Sequence, residues 1–356
     1  MPRALRSSGR LLSLALACAV SGVALAEERA PQSSPPAPPQ AHGPSTEHTP
    51  AEWLERMNTA LNTRNYDGTF SHWQGGQVEM LRIIHRLQDG VVSERLASLD
   101  GSGREFIRTG SSLSCYLPDK RTVLVEQRPT DQSLVGFPTV NPQTANFYDI
   151  REAGHTRLNH RDTHVITVSP KDEFRYGYRL WIDDSTAMPL KSQLSDAHGH
   201  VIEQIVFASL TLSSRLADAL FKPEVSTAGF QWLRNDAAPQ LLPGATATAW
   251  NAMRLPPGFR MTVRSAQMLP GSAGPVDHIV FTDGFASVSV FVEPQPDSGG
   301  AVITQFATVG SSSAFSTVAN GQKITAVGEV PPATVEYIAS QVRAAQGASP
   351  VGARGR

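Results

Sequence analysis

Cysteine is almost absent from this chain: Cys18 and Cys115 are the two it has. Cys18 lies in a segment laid out like a secretory signal. Arg3, Arg6 and Arg10 form a positive start, Leu11 to Val20 an apolar core, and Ala24–Ala26 a small-residue cleavage site. That apolar run is too short to serve as a membrane-spanning anchor. Cys18 closes the stretch LALAC, but Ala15 stands where a lipidation signal prefers a branched residue, so ordinary cleavage near Ala26 is expected. Cys115 is then the single thiol of the mature chain, which excludes an intramolecular disulfide even in an oxidising compartment. Its setting, LSCYL, reads as a strand in which a thiol packs as a small apolar group.

Other absences narrow the function. No stretch after the leader approaches transmembrane length, so a soluble mature protein is expected. Lys and Arg number 31 against 32 Asp and Glu, and the formal charge of −1 falls by three once the leader arginines leave. With no basic stripe, nucleic acid is excluded as a partner. There is no GxSxG elbow, no Gly-rich phosphate loop and no HExxH helix. The most metal-like cluster is DAHGH, Asp196–His200, but its histidines lack a ligand spacing, and it reads as a turn bent at Gly199. Asp172–Glu173 and Asp183–Asp184 stand beside turns and read as solvated. No catalytic residue, metal site or cofactor is expected, and the chain is not read as an enzyme.

What is present is mostly β. Residues 27–50 are rich in Pro, Ser and Gln and form an expected disordered tether. Order begins at AEWLERMNTALN, where Trp53, Leu54, Met57, Ala60 and Leu61 recur at helical spacing. Then come short β-branched and aromatic runs: YDGTFSHW, QVEMLRIIHRL, VVSERLASL, REFIRT, SLSCYL and TVLVEQ. Gly75-Gly76, Asp89-Gly90, Asp100–Gly103, Gly110 and Pro118–Arg121 separate them and supply hairpin turns. The proline-containing stretch Arg128 to Asn146 is too long for an ordinary hairpin and is read as either a lid or a disordered loop. Strands resume at HVITVSP, YGYRLWID, PLKSQLSD and VIEQIVFASLTL, and a short helix, SSRLADALF, closes a first domain over 51–223. Residues 224–248 read as a linker, with Asn235–Ala247 at its heart. Over 249–346, FRMTVRSAQML, VDHIVFTD, ASVSVFVEP and GQKITAVGEV give strands and PPATVEYIASQVRAA a closing helix, before a tail at 347–356.

The fold class is therefore mainly β with α (α+β): a curved antiparallel sheet covered by a helix, plus a smaller sheet-and-helix domain. Such a sheet either holds an elongated apolar ligand or is filled by its covering helix, and pattern alone leaves both open.

The wording of the chain is also informative. WLERMNTALNTRNYDGTF, LRIIHRLQDGVVSERLASLDGSGREFIR, LSCYLPDKRTVLVE, YGYRLWIDDSTAMPLKSQLSDAHGHVIEQI, LPPGFRM, FTDGFASVSVFVE and VGEVPPATVEYIASQV resemble the periplasmic sigma-E factor regulatory proteins of the MucB/RseB family, from about Trp53 to Val342. Ser71 and His72 depart from the family pattern, standing where more apolar and aromatic residues are expected. The resemblance implies a first domain built as a half-open β-barrel similar to the lipoprotein carriers LolA and LolB. It implies a periplasmic negative regulator that binds the periplasmic part of a membrane-spanning anti-sigma factor and shields it from regulated proteolysis. Lipopolysaccharide or another acylated ligand would release it; a homo-oligomer is compatible with this, and a LolA-type lipid carrier is the alternative. The lipid cavity is then expected at Leu81, Ile83, Leu96, Phe106, Leu113, Tyr116, Leu180 and Ile205. The partner-binding surface is expected at Phe259, Met261, Phe285, Val288 and Val290.

If Cys115 sits mid-strand, a thiol reagent should label it only when the protein unfolds. Rapid stoichiometric labelling of native protein would contradict that placement.

Overall fold

The computed structural model describes residues 48–127, 133–138, 144–235, 250–268, 275–294 and 304–344. The leader, the tether up to residue 47, residues 236–248 of the linker and the tail at 347–356 lie outside the described residues.

Helix α1 (Pro50–Thr63) begins with a capping box: the Thr49 side chain accepts from the Glu52 backbone N–H, and the Glu52 carboxylate accepts from the Thr49 backbone N–H. Pro50 occupies the first turn, where a missing N–H is harmless. Next come β1 (Tyr66–Gln74), β2 (Gln77–Gln88), β3 (Val91–Ser98), β4 (Glu105–Thr109), β5 (Ser112–Leu117) and β6 (Thr122–Gln127). The β2–β3 turn is Asp89-Gly90 with both φ positive (52° and 77°), the geometry a two-residue hairpin needs to match strand twist. A second meander runs through β7 (Tyr148–Leu158), β8 (Arg161–Pro170), β9 (Gly177–Asp183), β10 (Pro189–Ser195) and β11 (Val201–Leu212). Pairing of β11 with β1 fuses the two meanders. With β12 (Gln231–Asn235) they make a 12-stranded sheet, ordered β12-β6-β5-β4-β3-β2-β1-β11-β10-β9-β8-β7. Among the described residues its end strands, β12 and β7, do not pair with each other, so the barrel is half open.

Strand alternation gives this sheet one strongly apolar face, and α1 covers it. Trp53, Leu54, Met57, Ala60 and Leu61 share one core with Phe70, Ile83, Ile166, Leu180, Ile182 and Phe207. The opposite face carries a smaller core of Ile107, Tyr116, Val123 and Val125, covered by Val225 and Phe230.

The remaining chain forms β13 (Trp250–Ala252), β14 (Arg260–Met268), β15 (Pro275–Thr282), β16 (Ser287–Pro294), β17 (Gln305–Val309), β18 (Ser312–Ala319), β19 (Gln322–Gly328), α2 (Pro332–Gln341) and β20 (Val342–Ala344). The sheet order is β14-β15-β16-β19-β18-β17, with β13 and β20 paired separately. Val335, Ile338 and Ala339 of α2 pack with Val288, Val290, Phe315 and Ile324 into a second core.

Five expectations need correction. SSRLADALF is not a helix; only Asp218–Phe221 makes a single tight turn. Arg86 binds the Leu216 carbonyl (2.9 Å) and the Asp218 carboxylate (2.6 Å) and pins the segment in another shape. The first part of the expected linker is structured: Gln231–Asn235 adds parallel to β6, and the Glu105 carboxylate accepts from the backbone N–H of Glu224 (2.9 Å) and Val225 (3.2 Å). Strand β7 was missed because its residues are mostly exposed and lack alternation, and its turn uses Asn159-His160 with positive φ in place of glycine. Strands β17 and β18 were missed as well; β17 is exposed at every position. The closing helix stops at Gln341, and Val342–Ala344 turns into a strand against Trp250–Ala252.

Candidate functional site

The cup lies on the inner face of the large sheet. Strand parity puts Leu81, Ile83, Leu96, Phe106, Leu113, Leu180 and Ile205 on that face. Leu81, Ile83, Leu180 and Ile205 are buried in the core beneath α1 and line no open space of consequence. Leu96, Phe106 and Leu113 do line a cavity, together with Arg108, Cys115, Ser133 and Leu134, of about 210 Å³. That is below the roughly 300–1,000 Å³ of ordinary ligand pockets. Tyr116 belongs to the opposite face, because its register partner is Glu105 while Cys115 pairs with Phe106. Cys115 is buried, in a strand, in the cavity wall.

Residues 133–138 of the long loop lie over this face. Val135 is buried, and Leu134 and Phe137 pack against the core, Phe137 stacked on Phe207 at 6.4 Å. The anchor of this cover is an acidic group with no water contact. Glu94 accepts from the Ser133 hydroxyl and the Leu134 backbone N–H, both at 3.1 Å, and from the Arg108 guanidinium at 3.1 Å. Burial pushes its carboxyl above the usual range, opposed by Arg108. His85 stands 3.9 Å from Glu94, stacks on Tyr66 at 5.0 Å, and donates from Nδ1 to the Arg64 carbonyl at 2.9 Å. Burial, aided by the Arg108 charge, pushes His85 down to about 4 against that hydrogen bond. This polar cluster escaped the sequence reading. Its signal was one inward titratable residue on each of three adjacent strands, in RIIHRL, VSERL and FIRT, which becomes visible only once the register is known.

The second element of the site is the junction between the two sheets. Arg175 is fully buried and donates to Asp283 (2.6 Å), to Asp172 (3.0 Å) and to the Pro257 carbonyl. Phe147, Tyr148 and Phe259 surround the guanidinium at 4.7, 5.6 and 5.3 Å. The Tyr148 hydroxyl also donates to Asp283, at 3.1 Å. Gly258 is required here: its φ is +79°, and a Cβ would meet Phe147 at 2.3 Å. A second polar contact links Gln74 and Glu203 of the large sheet to Ser311. His72 lies 3.2 Å from Glu203, and the carboxylate beside it raises its pKa. The departure noted at His72 is thus a junction residue in place of a cup-lining one.

These contacts relocate most of the expected partner surface. Val288 and Val290 are fully buried beneath α2, so they are core. Phe259 is buried beside Arg175, and Phe285 packs on Tyr148 (4.8 Å) and Tyr178 (6.1 Å), so both belong to the junction. Met261 alone of the five is exposed, on edge strand β14.

An apolar cup closed by a cover, joined through a buried ion pair to a second sheet domain, defines a mainly β protein of two sheet domains. The chain belongs to the MucB/RseB family: the MucB/RseB N-terminal domain matches residues 49–225 and the MucB/RseB C-terminal domain residues 244–343. Sigma factor AlgU regulatory protein MucB of Pseudomonas aeruginosa is 32% identical over 307 residues, covering 84% of this chain and 93% of that protein. Sigma-E factor regulatory protein RseB of Escherichia coli K12 is 28% identical over 300 residues, covering 82% and 89%. The solved complex of Pseudomonas aeruginosa MucA/MucB superposes with a TM-score of 0.66 at 29% identity, covering 83% of this chain and 99% of that one. A crystal structure of MucB in complex with MucA(peri) gives 0.65 at 29% identity, with 83% and 98% covered.

The His85 environment carries a pH prediction. Its pKa is near 6.5 unfolded and about 4 folded, so the unfolded chain binds the extra proton first. The stability gained from a neutral His85 is present above pH 6.5 and is lost as pH falls toward 4. Between pH 7 and 5 this amounts to about 2 kcal/mol. Urea unfolding at the two pH values should show His85→Gln, which keeps a donor for Arg64, losing less stability than the native protein. An equal loss in both would refute the assignment.

Proposed function

We propose that this chain is a periplasmic negative regulator of envelope-stress sigma-factor signalling. It binds the periplasmic part of a membrane-spanning anti-sigma factor, shields it from regulated proteolysis, and lets go when lipopolysaccharide or another acylated ligand enters the cup. The observation that carries this reading is likeness along both domains to a MucB chain solved together with MucA. The cavity wall of Leu96, Phe106, Leu113 and Cys115 supports an acyl chain as the ligand. Its small volume means that entry requires the 133–138 cover to move. A carrier of the LolA type is less well supported, because α1 fills most of the inner face. For the partner, the second sheet offers two edges: β14 with exposed Met261, and β17 with exposed Phe306 and Val309. An extended peptide adds to such an edge through main-chain hydrogen bonds.

A chain ending after Asn235 keeps β12 and the whole large sheet; it is expected to lose the partner segment. Leu113→Trp should fill the cavity, keep the partner and ignore lipopolysaccharide. Titration of the anti-sigma periplasmic segment with and without lipopolysaccharide distinguishes these outcomes. Full binding by the shortened chain moves recognition to the first domain, and lipid-independent affinity in the native protein leaves only a constitutive shield.

A further inference from the structure

The edge hairpin β7–β8 gathers side chains that the binding of peptide or lipid does not use. A bulge between Glu152 and His155 shifts the β7 register, and His155 falls directly opposite His164 of β8. Residues three apart on a regular strand would face opposite sides; the bulge puts Glu152, His155 and His164 on one side. One carboxylate oxygen of Glu152 lies 2.8 Å from His164 Nδ1 and 3.1 Å from His155 Nε2. All three donor atoms fall within 4.8 Å of one another. Around a tetrahedral zinc ion, ligand atoms about 2.0–2.2 Å from the metal sit roughly 3.3–3.6 Å apart, a small opening of this cluster.

We propose that Glu152, His155 and His164 bind a divalent transition-metal ion of the zinc class, with Asp184 orienting His164. Two imidazoles and one carboxylate suit zinc, nickel or copper(II). They lack the thiolate that copper(I) favours and the shell of oxygens that calcium requires. Both nitrogens of His164 face carboxylates, Nδ1 toward Glu152 and Nε2 toward Asp184 at 2.9 Å. Each contact is a hydrogen bond only while its nitrogen carries a proton. A cation displaces the Nδ1 proton to solvent and leaves the Nε2–H bond to Asp184 intact, the carboxylate–histidine–metal arrangement that fixes a ligand's tautomer. The His164 ring is also held against the Trp53 indole, with centroids 3.9 Å apart, so its orientation is set before metal arrives. His155, with two thirds of its side chain exposed, leaves the remaining coordination positions open to water. A bound ion would clip edge strand β7 to β8 beside α1.

The test uses the untagged mature chain, stripped with chelator and titrated with zinc by calorimetry and with nickel by tryptophan fluorescence. One zinc per chain is expected, with Trp53 emission quenched by nickel. His155→Ala and Glu152→Gln, both at exposed positions, should each weaken zinc at least tenfold without moving the unfolding midpoint of the metal-free chain. Asp184→Asn should cost about 10–100-fold, as loss of an orienting partner does. Removal of His198 and His200 should change nothing. Zinc affinity equal in the native chain and the His155→Ala variant overturns the site, as does binding that survives Glu152→Gln with His155→Ala and disappears with His198 and His200.

Discussion

A guanidinium without access to water sets the arrangement of this molecule. Taking Arg175 out of solvent costs several kcal/mol, and only a closely matched set of acceptors offsets that cost. The set is drawn from both domains: Asp172 precedes β9, while Pro257 and Asp283 belong to the second domain. Removing one partner of such a buried pair typically destabilises by about 3–5 kcal/mol. The two sheets therefore favour one orientation over a continuum of loosely related ones.

That junction is continuous with the cup. Tyr148 is part of the core beneath α1 and also donates to Asp283. Phe285 of the second domain packs against that same core, on Tyr148 and Tyr178. At the other end of the inner face, Glu94 ties down the cover through Ser133 and Leu134. Phe137 of that cover stacks on Phe207, inside the shared core. A chain of packed groups thus runs from cover to junction. It gives a physical route by which a ligand under the cover could bias the second domain, with coupling in both directions required by linkage.

Much of the architecture was legible in the sequence, because turn chemistry and alternation are local. The β2–β3 turn at Asp89-Gly90 and helix α1, with its five inward residues, stood where periodicity put them. Elements with little buried surface left no trace: β17 is exposed throughout, and β7 is mostly exposed beyond Tyr148. The site was legible only in part. Apolar character placed Leu96, Phe106 and Leu113 at the cavity, but it could not separate lining from filled core at Ile83 or Leu180. It also assigned Val288 and Val290 to a surface, because alternation reveals that a face is apolar and not what covers it. The junction was hidden for a different reason. Gly258 lies in LPPGFRM, Asp283 in FTDGF and Arg175 just ahead of YGYRLWID, yet only the folded chain brings Arg175 and Asp283 together across 108 positions.

The proposed function requires cup occupancy to reach the partner surface, and the buried pair is the group placed to carry it. Arg175→Met with Asp283→Asn removes the ion pair, while the amide oxygen at 283 can still accept from the backbone N–H groups of Phe285 and Ala286. The decisive measurement is the affinity for the anti-sigma periplasmic segment, with and without lipopolysaccharide, in the native and doubly substituted proteins. A lipid-induced loss of about 5- to 150-fold is expected in the native protein and none in the variant, which still binds the segment. An equal lipid effect in both would contradict it.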